Sequence, residues 1–183
     1  MKKTNVRRMV VAAMCIALSI ALISIVHLPI IPAAGWLEYD PADIPLMILS
    51  FLYGPLWSLA ATAIACAIQA LTVSASSGII GFCMHFFATG LYVAVSGVLY
   101  RVFKRNFRAA LLAGVIAFVA ACIIMIPLNL IFTPMWGVPL ETVRQLLFPA
   151  ILPFNVIKFG VNTAVTLILY KLMYRSVLKS REE

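Results

Sequence analysis

Charge is what this sequence has least of. Only 11% of its 183 residues are Asp, Glu, Lys or Arg, against about a quarter in a typical soluble domain, and only six are acidic. A solvated surface cannot be built from so little charge, so a soluble globular domain is excluded. Catalytic signatures are missing as well. There is no GxxxxGK[ST] phosphate loop, so the chain cannot hydrolyse ATP by that route, and neither HExxH nor GxSxG occurs. Ser76, Ser77, Gly78 and His85 make a poor intramembrane protease, because the serines sit in a loop with no second supporting histidine. The four cysteines (Cys15, Cys66, Cys83, Cys122) lie in apolar segments without CxxC spacing and read as small packing residues. The two histidines, His27 and His85, are isolated, and no metal site is expected. No internal repeat, linker or low-complexity segment interrupts the chain.

What is abundant is apolar sequence, at 64% of residues. A helix crossing a bilayer needs about 20 residues for ~30 Å of hydrocarbon. The pattern predicts an all-α integral membrane protein, residues 1–183 forming one domain of six spans near 9–26, 43–53, 56–73, 79–103, 109–132 and 147–174. The first span is long and lacks a small-x-small processing site before Pro29, so it reads as a retained helix rather than a cleaved signal.

The net charge of +8 is placed, not spread. Lys2, Lys3, Arg7 and Arg8 precede the first span, and Arg101, Lys104, Arg105 and Arg108 sit between spans four and five. Lys171, Arg175, Lys179 and Arg181 follow the last one. Glu38, Asp40, Asp43 and Glu141 fall in the opposite loops. By the positive-inside rule both termini are expected in the cytoplasm, and the basic excess implies topology rather than nucleic-acid binding.

Lys158 is the exception, a charged side chain deep inside the sixth span. Asn155 and Asn162 stand three residues before and four after it, so the three share a helix face. Snorkelling to the outer headgroups is the bland alternative, but it runs against the charge bias and leaves the asparagines without partners. A charged group at this depth points to a protein-lined ligand cavity. Asn129, flanked by Pro127 and Pro134 near the outer end of span five, belongs to the same depth; a broken helix end is expected there. Its amide suits a flat heteroaromatic edge carrying both donors and acceptors.

The segment HLPIIPAAGWLEYDPAD, residues 27–43, reads as an irregular outer loop. Asp43, just before Ile44-Pro45, is expected to cap the second helix, leaving Asp40 free to meet a ligand. Trp36, Tyr39 and Trp136 fit an interfacial aromatic belt, though Trp36 and Tyr39 are also placed to stack on a planar ligand. In span one, Ala13, Ala17 and Ala21 recur at intervals of four, a small-residue face for close helix approach, either within the bundle or against a partner subunit.

Taken together, these motifs resemble the substrate-binding S components of energy-coupling factor (ECF) vitamin transporters, particularly the riboflavin type (RibU). The resemblance runs through nearly the whole chain: the alanine face, YDPADIP at 39–45, the Gly54-Pro55 turn, Pro127-Leu128-Asn129, PFNVIK at 153–158, and Leu169-Tyr170-Lys171. It implies a six-helix bundle binding one vitamin near the outer face, under the loop between helices one and two. Asn129, Asn155 and Lys158 would contact the flavin ring edge, and Asp40 with its loop the ribityl hydroxyls. Trp36, Tyr39, His85 and Asn162 are secondary candidates for substrate contact. Ala13, Ala17 and Ala21 match the face that docks on a transmembrane coupling subunit, which two ATPase subunits energise. The bundle would topple to deliver its cargo inward.

The chain departs from the riboflavin-type pattern at four places. Glu38 replaces a usual lysine, Ala65-Cys66 a Lys-Asn pair, Gln69 a histidine, and His85 an asparagine. The expected function is capture of riboflavin or a close flavin analogue for import across the bacterial plasma membrane. The expected chain is not an enzyme and carries no cofactor of its own; riboflavin is the cargo. A different heterocyclic vitamin or precursor is the nearest alternative. An intramembrane enzyme using Lys158 or His85, and a ligand-free structural subunit, are the readings from other classes.

Overall fold

A computed structural model of the protein describes residues 3–174. Lys2, Arg175, Lys179 and Arg181, part of the basic pattern, lie outside the described residues. The chain runs through α1 (Lys3–Ile25), a two-residue antiparallel ladder of β1 (Leu28–Pro29) and β2 (Glu38–Tyr39), then α2 (Asp43–Tyr53) and α3 (Pro55–Leu71). It continues through α4 (Gly78–Val102), α5 (Phe107–Phe132), the short α6 (Leu140–Leu146) and α7 (Leu152–Met173). The small ladder is the one departure from an all-helical chain among the described residues. Four helical stretches, Asn5–Ile25, Ala75–Val102, Phe107–Trp136 and Leu140–Met173, are long and apolar enough to cross a membrane.

α2 is not a full span by length. Its 11 residues cover about 16 Å, roughly half the hydrocarbon thickness. The other half of that path is made by the loop before it, which descends into the bundle: Leu37, Asp40, Ala42 and Asp43 are all buried. Irregular backbone at such depth is tolerated only inside protein, and here the loop is clasped by α4 and α7. Ala34 and Leu37 of the loop pack with Val143, Ala150, Ile151 and Phe154, a small apolar cluster separate from the main core.

The main core is held close by small residues. Ala110, Ala113, Ala117 and Ala121 of α5 are fully buried, and α5 packs on α4 and α7. Gly97 of α4 lets α2 and α3 approach: a Cβ there would meet Ser50 Oγ and lie 3.1 Å from the Pro55 nitrogen. Gly54 turns α2 into α3 with φ of +92°, a conformation that side chains resist. The Arg101 guanidinium covers it, donating to the Tyr53 carbonyl at 2.6 Å. Arg8 stacks 6.0 Å from the Tyr53 ring and Lys171 sits 5.4 Å from that of Phe107. The basic side chains thus gather at one end of the bundle.

Two sequence expectations change at the other end. α5 runs unbroken through Pro127 to Phe132 and then tightens into a 3-10 turn, Thr133–Trp136. The stretch 133–146, expected as a loop, is largely helical, and residues 147–151 form a π turn leading into α7. There Leu152 N–H bonds the Leu147 carbonyl, five residues back. The wider step accommodates Pro149 and Pro153, which have no N–H to offer a regular helix.

Candidate ligand site

Three elements converge on Lys158: the loop after β2, α4 and α7. Lys158 Nζ donates to Asp40 Oδ2 at 2.6 Å, with both side chains almost fully buried. The other Asp40 oxygen accepts the Ala42 N–H at 3.1 Å, which curls the loop into the first turn of α2. Burial opposes the Asp40 charge, but Lys158, aided by its hydrogen bond and the Ala42 amide, outweighs it and holds the carboxyl below the ordinary carboxylate range. A buried ion pair needs such extra hydrogen bonds to offset its desolvation.

Asn162, one turn along α7, ties the loop down. Its Nδ2 lies 3.1 Å from both the Asp40 carbonyl and Asp43 Oδ2. Its Oδ1 accepts the Tyr39 hydroxyl at 3.2 Å. Burial and the neighbouring Asp40 charge raise the Tyr39 phenol, so it remains a donor. Asp43 does not cap α2: it stands in the first turn, and the cap position is Ala42, whose methyl offers the free amides no acceptor. Asp43 instead accepts Thr89 Oγ1 at 2.7 Å, linking α2 to α4. Helix periodicity could have flagged Thr89, which stands four residues after His85 on the same face. Tyr92 and Thr163, bonded at 2.7 Å, extend the polar seam between α4 and α7 and were not anticipated.

Above this network opens a cavity. Its walls are aromatic and sulfur-rich: Trp36, Trp136, Phe154, Met84 and Met125, with His85 from α4. Asp40 forms part of its floor, and Glu38, His27, Ser74 and Ser77 stand toward its mouth. The Trp136 indole N–H donates to the Ser77 carbonyl at 3.3 Å and joins the two connections at this end of the bundle. Apolar walls around a few placed polar groups are the composition of a small-molecule site.

The expected site residues divide by position. Asp40, Trp36 and His85 line the cavity. Lys158 and Asn162 hold its floor, and Tyr39 bonds to that floor. Asn155, one turn before Lys158, donates to the Ile151 carbonyl at 2.7 Å and leaves Oδ1 buried without a donor. Trp36 Nε1 is likewise buried and unpartnered. Asn129 is fully buried, but its amide serves α5 itself, giving to the Met125 carbonyl at 2.8 Å and accepting Thr133 Oγ1 at 3.1 Å. Ala13, Ala17 and Ala21 form an exposed stripe on α1, while Ala12, Ser19 and Ile23 face the bundle. Among the described residues no cluster of His, Cys, Asp or Glu is arranged for a metal ion.

Comparison with known proteins adds the family. A family model described as "ECF transporter, substrate-specific component" matches residues 7–170. A solved structure of the S component of a bacterial ECF transporter superposes with a TM-score of 0.79 at 23% identity, covering 93% of this chain and 97% of that one. That likeness is one of fold. No curated protein matches the sequence. The chain therefore belongs to the substrate-specific components of ECF transporters, membrane proteins that bind a small-molecule substrate for a transport module rather than catalysing a reaction.

Proposed function

We propose that this chain captures riboflavin, or a close flavin analogue, near the outer face of the bacterial plasma membrane for import. The observation that carries the reading is Asp40 on the floor of an aromatic-walled cavity, held from behind by Lys158, with a buried, unpartnered Asn155 Oδ1 one turn from that lysine. A flavin has a flat ring for the tryptophans and a mixed donor–acceptor edge for Lys158 and Asn155. Asp40 meets the hydroxylated tail. Asn129 contributes once Thr133 releases its Oδ1, so it contacts the ring only after a local rearrangement.

The proposed topology has six crossings with both termini cytoplasmic. Arg8, Arg101 and Lys171 at the end opposite the cavity support it through the positive-inside rule. The exposed alanine stripe of α1 is the proposed docking face for the transmembrane coupling subunit, and two ATPase subunits on that partner supply the energy. A second reading, a different heterocyclic vitamin, is favoured by one observation: Glu38, His27 and His85 stand along the cavity and its mouth, and no lysine or arginine lines it.

The test is a titration of the purified chain in detergent with riboflavin, following quenching of flavin fluorescence. Saturable binding that Lys158→Ala abolishes supports the proposal. A folded protein that ignores riboflavin moves the substrate to another heterocycle.

A further inference from the structure

The charges around the cavity are unevenly matched. Lys158, the cation of the floor, is already neutralised by Asp40 at 2.6 Å. Asp43 lies one asparagine away, sharing Asn162 with Asp40. Higher up, Glu38 lines both the cavity and the vestibule above it, and the only other titratable groups along this path are His27 and His85. Arg144, the other described cation on this side, stands 3.9 Å from Glu141 and lines neither space. A ligand therefore passes one unpaired carboxylate, Glu38, above a floor whose Lys158–Asp40 charges cancel, with no unpaired Lys or Arg among the lining residues to offset it.

We propose that Glu38 sets the sign of charge the cavity admits, passing neutral and cationic molecules and turning away phosphorylated ones. The inference rests on reading the cavity as the capture site. A phosphate entering this path would meet Glu38 without a compensating cation, and like charges facing each other are a device for rejecting wrong ligands. Glu38 is exposed on a two-residue strand, paired only through Pro29, so its substitution leaves the buried network untouched.

Local charge can be measured without knowing the cargo. A cysteine placed at the mouth by Ser77→Cys, or Ser74→Cys should the first variant misfold, is modified with cationic and anionic methanethiosulfonates. The native chain provides the baseline for its own four cysteines, and a free thiol the intrinsic rates. The expected result is a cationic preference of at least about tenfold, in keeping with field focusing in one-signed clefts. Glu38→Gln should reduce the preference and Glu38→Lys reverse it. Equal rates, or a ratio indifferent to Glu38→Gln, would overturn the proposal. Titration with riboflavin and its 5′-phosphate provides the second arm. Tight binding of the neutral form with at least tenfold weaker binding of the phosphate supports the proposal, and equal binding overturns it while leaving flavin capture intact. Where neither flavin binds, the flavin reading falls, and the thiol ratio alone decides for or against the role of Glu38.

Discussion

Lys158 and Asp40 depend on each other in a way that separates folding from binding. Removing the amine by Lys158→Met strands a buried carboxylate, and breaking such a pair from one side typically costs about 3–5 kcal/mol. The variant should show a clear fall in its thermal midpoint in detergent together with lost ligand binding. Adding Asp40→Asn removes the stranded charge, so the double variant should regain most of the stability and none of the binding. Recovery of both would place the ligand elsewhere. Asn155→Ala gives a milder and cleaner effect, because its Oδ1 has no protein donor to lose. Binding should weaken by about 1–3 kcal/mol, the worth of a buried hydrogen bond, with the unfolding transition little changed. The face shared by Asn155, Lys158 and Asn162 was legible from spacing alone. Their partners were not, since Asp40 is 118 positions from Lys158 and only the descending loop brings them together. The same distance hid the true role of Asp43, whose local context read as a helix cap while Thr89 and Asn162 claim it across the bundle.

Individual elements divide between holding the bundle together and leaving a face uncovered. α1 turns Ala12, Ser19 and Ile23 inward and leaves Ala13, Ala17 and Ala21 outside. Ala17→Leu should therefore leave riboflavin titration of the isolated chain unchanged, yet block uptake when the coupling and ATPase subunits are co-reconstituted in liposomes. Loss of binding in the isolated variant would show instead that the stripe supports the bundle. The α2–α4 crossing behaves oppositely. Gly97→Ala drives a methyl against Ser50 and the backbone nitrogen of Pro55, and overpacking of this kind costs about 1–3 kcal/mol. A lower thermal midpoint measured by circular dichroism is expected. Helix positions were mostly readable because apolar length and flanking charge define them locally. The 11-residue length of α2 was readable too, between Asp43 and the Gly54-Pro55 turn; the π turn at 147–151 was not, because it depends on what the neighbouring helices leave room for.

For the whole molecule, the two ends of the bundle carry different chemistry. Arg101 and Arg8 meet over Tyr53 at one end, while Trp136, Ser77 and the cavity mouth lie at the other. Single cysteines at Asn106 and Ser76 should label oppositely in intact cells: the Ser76 position from outside with a membrane-impermeant maleimide, the Asn106 position only after permeabilisation. Labelling of both from outside would overturn the proposed orientation.

Hydrophobic run length and the sorting of basic residues are properties of the linear chain, since the bilayer acts on each helix as it inserts. They were sufficient for an all-helical membrane protein, and residue spacing for the polar face shared by Asn155, Lys158 and Asn162. Contacts among distant segments are a different matter. Only the folded bundle determined that Lys158 is neutralised by Asp40, that Asn129 spends its amide on its own helix, and that the loop before α2 is buried among the helices. Buried polar groups must find partners wherever packing places them, and packing is settled by the tertiary structure.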